Sequence, residues 1–541
     1  MQEGHFPKSS LRKNPKAIIM KNLLSINFRL NRPKGCTGKG DKYLPKIIKN
    51  LANLLRKTQK EFKYETLRLP GGKIAELAEI LIEFAEDVHN DIGIWRSLEE
   101  YNYEFFETKL PMTRQSDDDM GPNSMNKYRI QHLLWVQYQL IDPQLILSPA
   151  HQDLCFLAEV ISDFLGDCFE KIPVDSGVKT FLDQPNDYGW DIKRKLIWLG
   201  KHSYLFRKCY QDYVESNGGK PETAIIDDFV CQETTCWSGL GVIDILASLL
   251  DITEKQKDDI RSWYERHAAF YRVLSVQDPL VEMLNIINDK PYTIRVGELS
   301  TQFENQHIYF GSLVPWNGEW YWSGVQQIFG KVSKKEAQKL KNTFLRKTQT
   351  IAYRYCDDLL DKAKKSVSEQ YKHFVEYHGK DYVIYPDGHS MTADLRKQYS
   401  LYNESKLKSA GSRKNKDDEL SDLKKSFPPE LLESNNGVGV YFNPDEGQEI
   451  IREFYDVING LKKKGANLNE DELYCIRGFI NSTVISPLFV KKLVEECSDD
   501  SVSVAFLIPY GFSKYYLDYL LRKYKGDFYR NRYPRISFFQ T

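Results

Sequence analysis

The sequence predicts a mostly helical α+β protein, on three observations. Apolar residues recur at three- and four-residue spacing through residues 41–251, which is the period of an amphipathic helix. Near residue 270 this period gives way to five short runs rich in β-branched and aromatic residues. The helical period returns at residue 334. We therefore predict a helical N-terminal block, a small β-barrel of the SH3 or OB type, a long connecting helix and a helical C-terminal domain.

Residues 73–88, KIAELAEILIEFAEDV, illustrate the helical block. The apolar residues that share one helical face are Leu77, Ile80, Leu81, Phe84 and Val88. Later stretches repeat the pattern, and WDIKRKLIWLGKHSYLFRKCYQDYV is predicted to be one long helix. The helical domain is predicted over residues 41–268, after an N-terminal segment, residues 1–40, that contains a possible strand.

Residues 269–331 are predicted to form the small barrel. Its strands are the runs FYRVLSV, VEMLNII, PYTIRV, IYFGSLVPW and EWYWSG. Turn residues separate the runs, and Asn317-Gly318 is the strongest hairpin signal because both residues tolerate a positive φ.

Helix is predicted again from Lys334, nearly unbroken to His378. It belongs to a segment, residues 332–403, that continues with a short strand and a second helix. Residues 404–436 are highly charged and contain Pro428-Pro429, which predicts a linker. The C-terminal helical domain is assigned to residues 437–541.

Composition limits the classes of function. The chain has 541 residues with 41% apolar content, which is enough to build several cores. Lysine and arginine number 75, as do aspartate and glutamate, so the formal net charge is zero. A neutral total argues against attraction of nucleic acid by the whole protein, although a local basic patch remains compatible with it.

Cysteine usage and hydropathy indicate the compartment. Nine cysteines are scattered without the spacing of a disulfide framework, which favours reduced thiols. The N-terminus is polar and basic, and no apolar run approaches the ~20 residues that cross a bilayer. We therefore expect a soluble, cytoplasmic protein.

The stretch GCTGKG, residues 35–40, invites comparison with a phosphate-binding loop. A Walker A loop follows G-x-x-x-x-G-K-[ST], so that backbone amides surround the phosphates and a hydroxyl binds Mg²⁺. Here Gly35 and Gly38 are only three residues apart, and Lys39 is followed by Gly40 and Asp41. We expect no nucleotide binding, and we expect Asp41 to cap the next helix.

One spacing suggests catalysis. Arg261 and His267 in RSWYERH have the Arg-x4–6-His spacing of HEPN ribonucleases, whose arginine and histidine on one helix cleave RNA by acid–base catalysis. The same spacing arises by chance in long helices. Cys231 and Cys236 have no second pair at zinc-site spacing, so buried thiols are favoured over a metal site. We expect no metal and no cofactor, and a non-enzymatic role is favoured over catalysis.

The first candidate binding surface is the tryptophan-rich hairpin GSLVPWNGEWYWSG. It carries Trp316, Trp320 and Trp322, and strand alternation places Trp320 and Trp322 on one face. One face must be core, and the other could offer rings for stacking on bases or for binding a peptide. Alternatively, neighbouring helices cover both faces.

The second candidate surface is LLRKYKGDFYRNRYPRISFF, residues 520–539. Positive charge beside stacking rings is typical of a nucleic-acid contact, because arginine neutralises phosphate and rings accept any base. Basic and aromatic residues also line ordinary protein interfaces. The residues predicted to make contact are Arg522, Lys525, Tyr529, Arg530, Arg532 and Tyr533.

Several stretches resemble an uncharacterised family of large proteins from gut Bacteroidetes, classed as a domain of unknown function. They are DKYLPKIIKNLANLL, EFAEDVHNDIGIWRSL, YERHAAFYRVL, GSLVPWNGEWYWSG, RGFINSTVISPLFVKKLVEE and YKGDFYRNRYP. The resemblance implies a bacterial cytosolic protein and carries over no activity and no catalytic residue.

Together these patterns predict an intracellular, non-enzymatic protein that contacts RNA or a ribonucleoprotein through a basic-aromatic surface. One alternative is a protein-interaction scaffold in which the same aromatic residues bind a partner chain. Another is a HEPN-like ribonuclease that acts through Arg261 and His267.

Overall fold

A computed structural model describes the chain in several ranges. They are residues 28–113, 125–143, 145, 147–347, 353–354, 356–410, 427–463, 468–497 and 514–534. Helices dominate and strands form two sheets, so the prediction of a mostly helical α+β protein is confirmed. The possible strand of the N-terminal segment falls on residues 1–27, outside the described residues.

The first part of the chain is helical. Its helices are α1 (Leu44–Thr58), α2 (Gly71–His89), α3 (Ile94–Phe106), α4 (Lys127–Ile141), α5 (Gln152–Phe169), α6 (Gly177–Leu182), α7 (Gly189–His202), α8 (Arg207–Ser216), α9 (Thr223–Gln232), α10 (Val242–Leu249) and α11 (Glu254–Ser262). The helix predicted through residues 190–214 is in fact two helices, α7 and α8, because the backbone of Ser203 is extended.

A cluster of buried rings lies at the centre of this helical part. His132 on α4 is fully buried, with its ring within about 6 Å of the rings of Trp95, Trp135, Trp237 and Tyr519. Neither of its ring nitrogens has a hydrogen-bond partner among the described residues. Burial, together with the positive charge of Lys523, lowers the pKa of His132 to about 3.

The buried imidazole predicts an acid-sensitive fold. Between pH 6.5 and 3 the unfolded chain binds a proton at His132 that the folded chain excludes. The free energy of unfolding should therefore fall with pH, by up to about 1.4 kcal/mol per unit. His132→Phe loses no hydrogen bond and should flatten this dependence, measured by urea unfolding at pH 7.5, 5.5 and 4.5. Replacement of the exposed His389 by Gln should leave the dependence unchanged; an equal flattening would contradict the assignment.

Five strands follow where the sequence predicts them. They are β1 (His267–Gln277), β2 (Leu280–Asn285), β3 (Lys290–Arg295), β4 (His307–Trp316) and β5 (Glu319–Lys331). They follow the order β1-β2-β3-β5-β4, and β4 pairs back to β1. The ring closes between β3 and β5 at a single pair, Ile294 with Trp320. Asn317 and Gly318 have φ values of 52° and 83°, as their hairpin signal predicts.

Polar contacts attach this sheet to the helical part. The indole of Trp263 donates to the carbonyl oxygen of Pro315 at 2.8 Å, and that of Trp316 donates to the carbonyl oxygen of Asn186 at 3.1 Å. The Ser323 hydroxyl donates to the Asp227 carboxylate at 2.8 Å. Two of these three contacts therefore come from tryptophan side chains.

The rest of the chain builds a second sheet within helices. Its elements are α12 (Lys334–Lys347), α13 (Asp357–His378), β6 (Tyr382–Tyr385), α14 (Gly388–Ala410), α15 (Pro429–Leu432), β7 (Val438–Asn443), β8 (Gly447–Ile451), α16 (Phe454–Lys462), α17 (Glu470–Asn481), α18 (Pro487–Cys497) and α19 (Lys514–Lys525). The strand order is β6-β7-β8. No described helix has the length and apolarity needed to cross a membrane.

Three predictions for this region were wrong. The predicted long helix is interrupted, because Cys356 before α13 is extended, with φ −129° and ψ 90°. The C-terminal domain is not purely helical, because VGVYFNPDEGQEII forms the β7–β8 hairpin. The predicted linker does not separate two domains, because β6 before it pairs with β7 after it.

Candidate anion-binding groove

The last described residues, 522–534, which we call the C-terminal segment, lie against the helical part of the chain. Thr234 donates to Asp527 at 3.0 Å, and Arg530 donates to the Gln232 carbonyl oxygen at 3.1 Å. Gly239, with φ +75°, approaches so closely that a Cβ atom there would lie 2.2 Å from the Arg522 carbonyl oxygen. The C-terminal segment therefore packs against the loop between α9 and α10.

Two of the predicted contact residues, Lys525 and Arg522, make contacts within the protein. Lys525 is buried, and its ammonium donates to the carbonyl oxygens of Phe479, Ser482 and Ile485. The guanidinium of Arg522 lies 3.8 Å from the Phe105 ring centroid and 4.2 Å from that of Tyr529. The prediction that Lys525 presents its charge to a partner is wrong, because its three hydrogens are taken by backbone acceptors.

Two more predicted residues face the helical part. Arg530 pairs with Asp244 at 3.2 Å and lies 4.4 Å from the Tyr264 ring centroid. The Tyr533 hydroxyl donates to Glu265 at 3.3 Å. Their charge and hydrogen-bonding capacity hold the C-terminal segment in place, so these residues have a structural role in this conformation.

Arg532 and Tyr529 line a large groove with residues that the sequence analysis missed. The groove has a volume of about 920 Å³, near the upper end of the roughly 300–1,000 Å³ usual for ligand sites. One wall is α13, and the other parts are the β7–β8 turn, the start of α18 and the C-terminal segment. The lining residues are Lys364, Ser368, Tyr371, Lys372, Asn443, Pro444, Asp445, Glu446, Ser486, Pro487, Leu488, Lys491, Phe528, Tyr529, Arg532 and Pro534.

Helix α13 supplies exposed positive charge to the groove. Lys364, Ser368, Tyr371 and Lys372 follow one another at intervals that keep them on one helical face. Both lysines are exposed, and within the described part of the chain neither forms an ion pair. The signal was present in KAKKSVSEQYK, where lysines recur beside a tyrosine on a helix.

The other charges of the groove are largely compensated. Arg532 binds Glu446 with two hydrogen bonds of 2.9 and 2.7 Å, and Lys491 pairs with Asp518. The exposed Asp445 is the remaining acid that lines the groove. Lys364 and Lys372 therefore leave the groove with an excess of positive charge.

Three aromatic residues line the groove beside these charges: Tyr371, Phe528 and Tyr529. The Phe528 ring is covered on one side by the Arg532 guanidinium, 4.3 Å from its centroid. The Tyr371 ring contacts Phe442 in an edge-to-face arrangement with centroids 6.0 Å apart. Each ring is thus held by a contact within the chain while it borders the groove.

The tryptophan hairpin lies outside the groove, and part of it borders a second cavity. Trp316 is fully buried, so the prediction that it contacts a partner is wrong: its ring fills the junction between the sheet and α7. Trp320 and Trp322 are half-buried and pack on Tyr292 and Tyr271, with centroids 4.9 and 5.6 Å apart. Trp322 also borders a cavity of about 200 Å³, together with Trp190, Phe303 and Tyr321.

The HEPN-like spacing does not form the expected arrangement. Arg261 lies on α11, is exposed and pairs with Asp258 at 3.4 Å. Helix α11 ends at Ser262, and His267 begins β1, where its backbone pairs with Leu313. The two residues are not on one helix, because the chain turns through a short 3₁₀ segment between them.

The glycine loop packs closely against the chain at Asp175. A Cβ atom at Gly38 would lie 2.3 Å from the Asp175 carbonyl oxygen, so glycine is needed for close contact of two backbones. Asp41 accepts from the Gly38 and Gly177 amides and pairs with Arg32 at 2.7 Å. It does not cap α1, whose N-cap is Tyr43.

The cysteines are all free thiols. Cys231 is buried and lies 3.4 Å from the Lys193 ammonium, whereas Cys236 lies 4.0 Å from Cys209. The described residues hold no group of three or more His, Cys, Asp or Glu side chains placed to share a metal ion.

Comparison with known protein families identifies part of the helical region. Residues 37–220, about a third of the chain, match the family described as a protein of unknown function (DUF3843). Neither a curated protein nor a solved structure matches the chain. The match covers an uncharacterised domain in the helical part, and the groove residues lie outside it.

Proposed function

We propose that the protein is a non-enzymatic cytoplasmic protein that binds single-stranded RNA, free or within a ribonucleoprotein, along the groove between α13 and the C-terminal segment. The observation that carries the proposal is the pair of exposed lysines, Lys364 and Lys372, which form no ion pair in the described structure and lie beside the rings of Tyr371, Phe528 and Tyr529. Lysines neutralise phosphates, and aromatic rings stack on bases of any sequence.

The geometry favours a single strand over a duplex. A single strand has unstacked bases that can lie against a ring, whereas a duplex presents mainly phosphates and sugars to a protein surface. The rings and lysines line the same groove, so one strand can contact both. We therefore expect weak dependence on sequence and strong dependence on salt.

Binding of a fluorescent single-stranded RNA, measured against salt concentration, tests the proposal. If two to four phosphates are neutralised, the plot of log affinity against log salt should have a slope of roughly −1.4 to −2.8. Ultraviolet crosslinks should map to Tyr371, Phe528 or Tyr529. Binding with no salt dependence, or crosslinks confined to the tryptophan hairpin, would refute this site.

A protein-interaction scaffold is the second candidate, and the end of β5 favours it. Val325 and Ile328 are 62% and 64% exposed, on a stretch that pairs with β4 along one edge. Exposed apolar residues on a strand with an unpaired edge can accept an added strand from a partner. Such a partner would stay bound at high salt, which separates this function from RNA binding.

The compartment and source belong to the same proposal. The nine free thiols agree with a reducing compartment such as the cytoplasm, where RNA is abundant. The resemblance of the sequence to proteins of gut Bacteroidetes supports a bacterial source.

A further inference from the structure

Cys209 and Cys236 form a close thiol pair away from the groove. Cys209 lies in the first turn of α8, and Cys236 lies in the loop between α9 and α10. Their Sγ atoms are 4.0 Å apart, and both side chains are half-buried. A disulfide requires about 2.05 Å, so the sulfurs must approach by about 2 Å. Rotation of the side chains with a small shift of the loop can supply this movement.

The surroundings shift the pKa values of the two thiols in opposite directions. The hydrogen bond from Cys209 lowers the pKa of Cys236, against the opposing effect of burial, and the Lys523 ammonium lowers it further. The same hydrogen bond and burial raise the pKa of Cys209. Cys236 is therefore the more acidic of the two thiols and the first to lose its proton and attack. By contrast, burial raises the pKa of Cys475 to about 11, and this thiol provides a comparison.

We propose that Cys209 and Cys236 form a reversible disulfide, with a low-molecular-weight disulfide as the oxidant. The Cys236 thiolate attacks one sulfur of the oxidant, which breaks its S–S bond and releases the first thiolate. Cys209 then loses its proton and attacks the Cys236 sulfur, releasing the second thiolate. The two released thiolates take up the two protons, so the protein loses two hydrogens and the oxidant becomes two thiols.

The disulfide would change the position of the loop between α9 and α10, against which the C-terminal segment packs. The loop that carries Cys236 also carries Thr234 and Gly239, which contact Asp527 and the Arg522 carbonyl oxygen. Formation of the bond shifts this loop relative to α8 and so disturbs the contacts that the loop makes with the C-terminal segment. We infer that oxidation loosens residues 522–534, and with them the groove wall formed by Phe528 and Tyr529; the consequence for RNA rests on the proposed function.

The chemistry is tested on the full-length reduced protein with oxidised glutathione. Free thiols are alkylated, the protein is digested without reductant, and the peptides are analysed by mass spectrometry. We expect a peptide that links Cys209 to Cys236 and that dithiothreitol separates. Cys209→Ser should retain glutathione on Cys236, whereas Cys236→Ser should leave Cys209 unmodified. Cys475→Ser should form the bond as the unaltered protein does.

Alkylation of both thiols after treatment, in protein whose circular dichroism is unchanged, would overturn the proposal. Glutathione retained on Cys209 in the Cys236→Ser variant would reverse the assigned order of attack and overturn that step.

Hydrogen exchange tests the coupling to the C-terminal segment. Oxidised protein should exchange faster than reduced protein over residues 522–534, and equal rates would overturn the coupling. RNA affinity measured on the same samples separates the two proposals. Faster exchange with unchanged RNA affinity would support the disulfide and would count against RNA binding in the groove.

Discussion

Reversing the charge of Lys364 and Lys372 together should weaken binding of single-stranded RNA roughly tenfold to a hundredfold at about 0.1 M salt. The two lysines are the exposed cations of the groove without an acidic partner in the described structure. Removal of two phosphate contacts should also make the slope of log affinity against log salt shallower by about 1.4. Fluorescence anisotropy with the Lys364→Glu/Lys372→Glu variant measures both quantities.

The matched control is Lys335→Glu/Lys339→Glu. These lysines are also exposed on a helix, α12, and do not line the groove. The net charge of the protein changes equally in both variants, so only the location differs. An equal loss of affinity in the two variants would show that RNA is attracted by the general surface charge, and the groove would lose its assigned role.

Gly239→Ala should reduce the free energy of unfolding by about 2–4 kcal/mol. Two causes add up at this position. The residue has φ +75°, which a side chain disfavours, and the new Cβ atom would lie 2.2 Å from the Arg522 carbonyl oxygen. The C-terminal segment must then move away from the loop between α9 and α10. Hydrogen exchange over residues 522–534 should therefore become faster, and urea unfolding should show the loss of stability.

Gly218→Ala separates the two causes. Gly218 has φ +95°, but no atom lies within 4 Å of the Cβ that the substitution adds. Its cost should therefore be the conformational part alone, about 1 kcal/mol, with no change at the C-terminal segment. If both variants lost the same stability, close contact between Gly239 and Arg522 would not be what holds the segment.

Local signals explain what the sequence could predict. The five strands have alternating apolar residues and turn residues between them, and the Asn317-Gly318 turn requires no distant partner. The interruption of the predicted long helix at Cys356 could not be predicted, because no proline or glycine lies beside it in the sequence. The β7–β8 hairpin was missed because its strands are short and it directly follows the segment predicted as a linker, although Asn443-Pro444-Asp445 offers a turn signal.

Whether the charges of the basic-aromatic stretch are paired or exposed depends on residues that are distant in the sequence. Arg532 pairs with Glu446, 86 residues away, and Arg530 pairs with Asp244, 286 residues away. Composition alone does not distinguish a cation that meets such a partner from one that stays exposed. The reverse holds for Lys364 and Lys372, which look ordinary in the sequence and lie at the groove because α13 packs beside the C-terminal segment.

The long-range contacts of the C-terminal segment also bear on how the protein is made. Asp527 follows its partner Thr234 by 293 residues, and Tyr519 joins the rings around His132 from the same end of the chain. A ribosome that adds about 5–20 residues each second takes roughly 15–60 s to cover that interval. Throughout this time the surface of the helical part that the C-terminal segment later covers stays exposed to solvent.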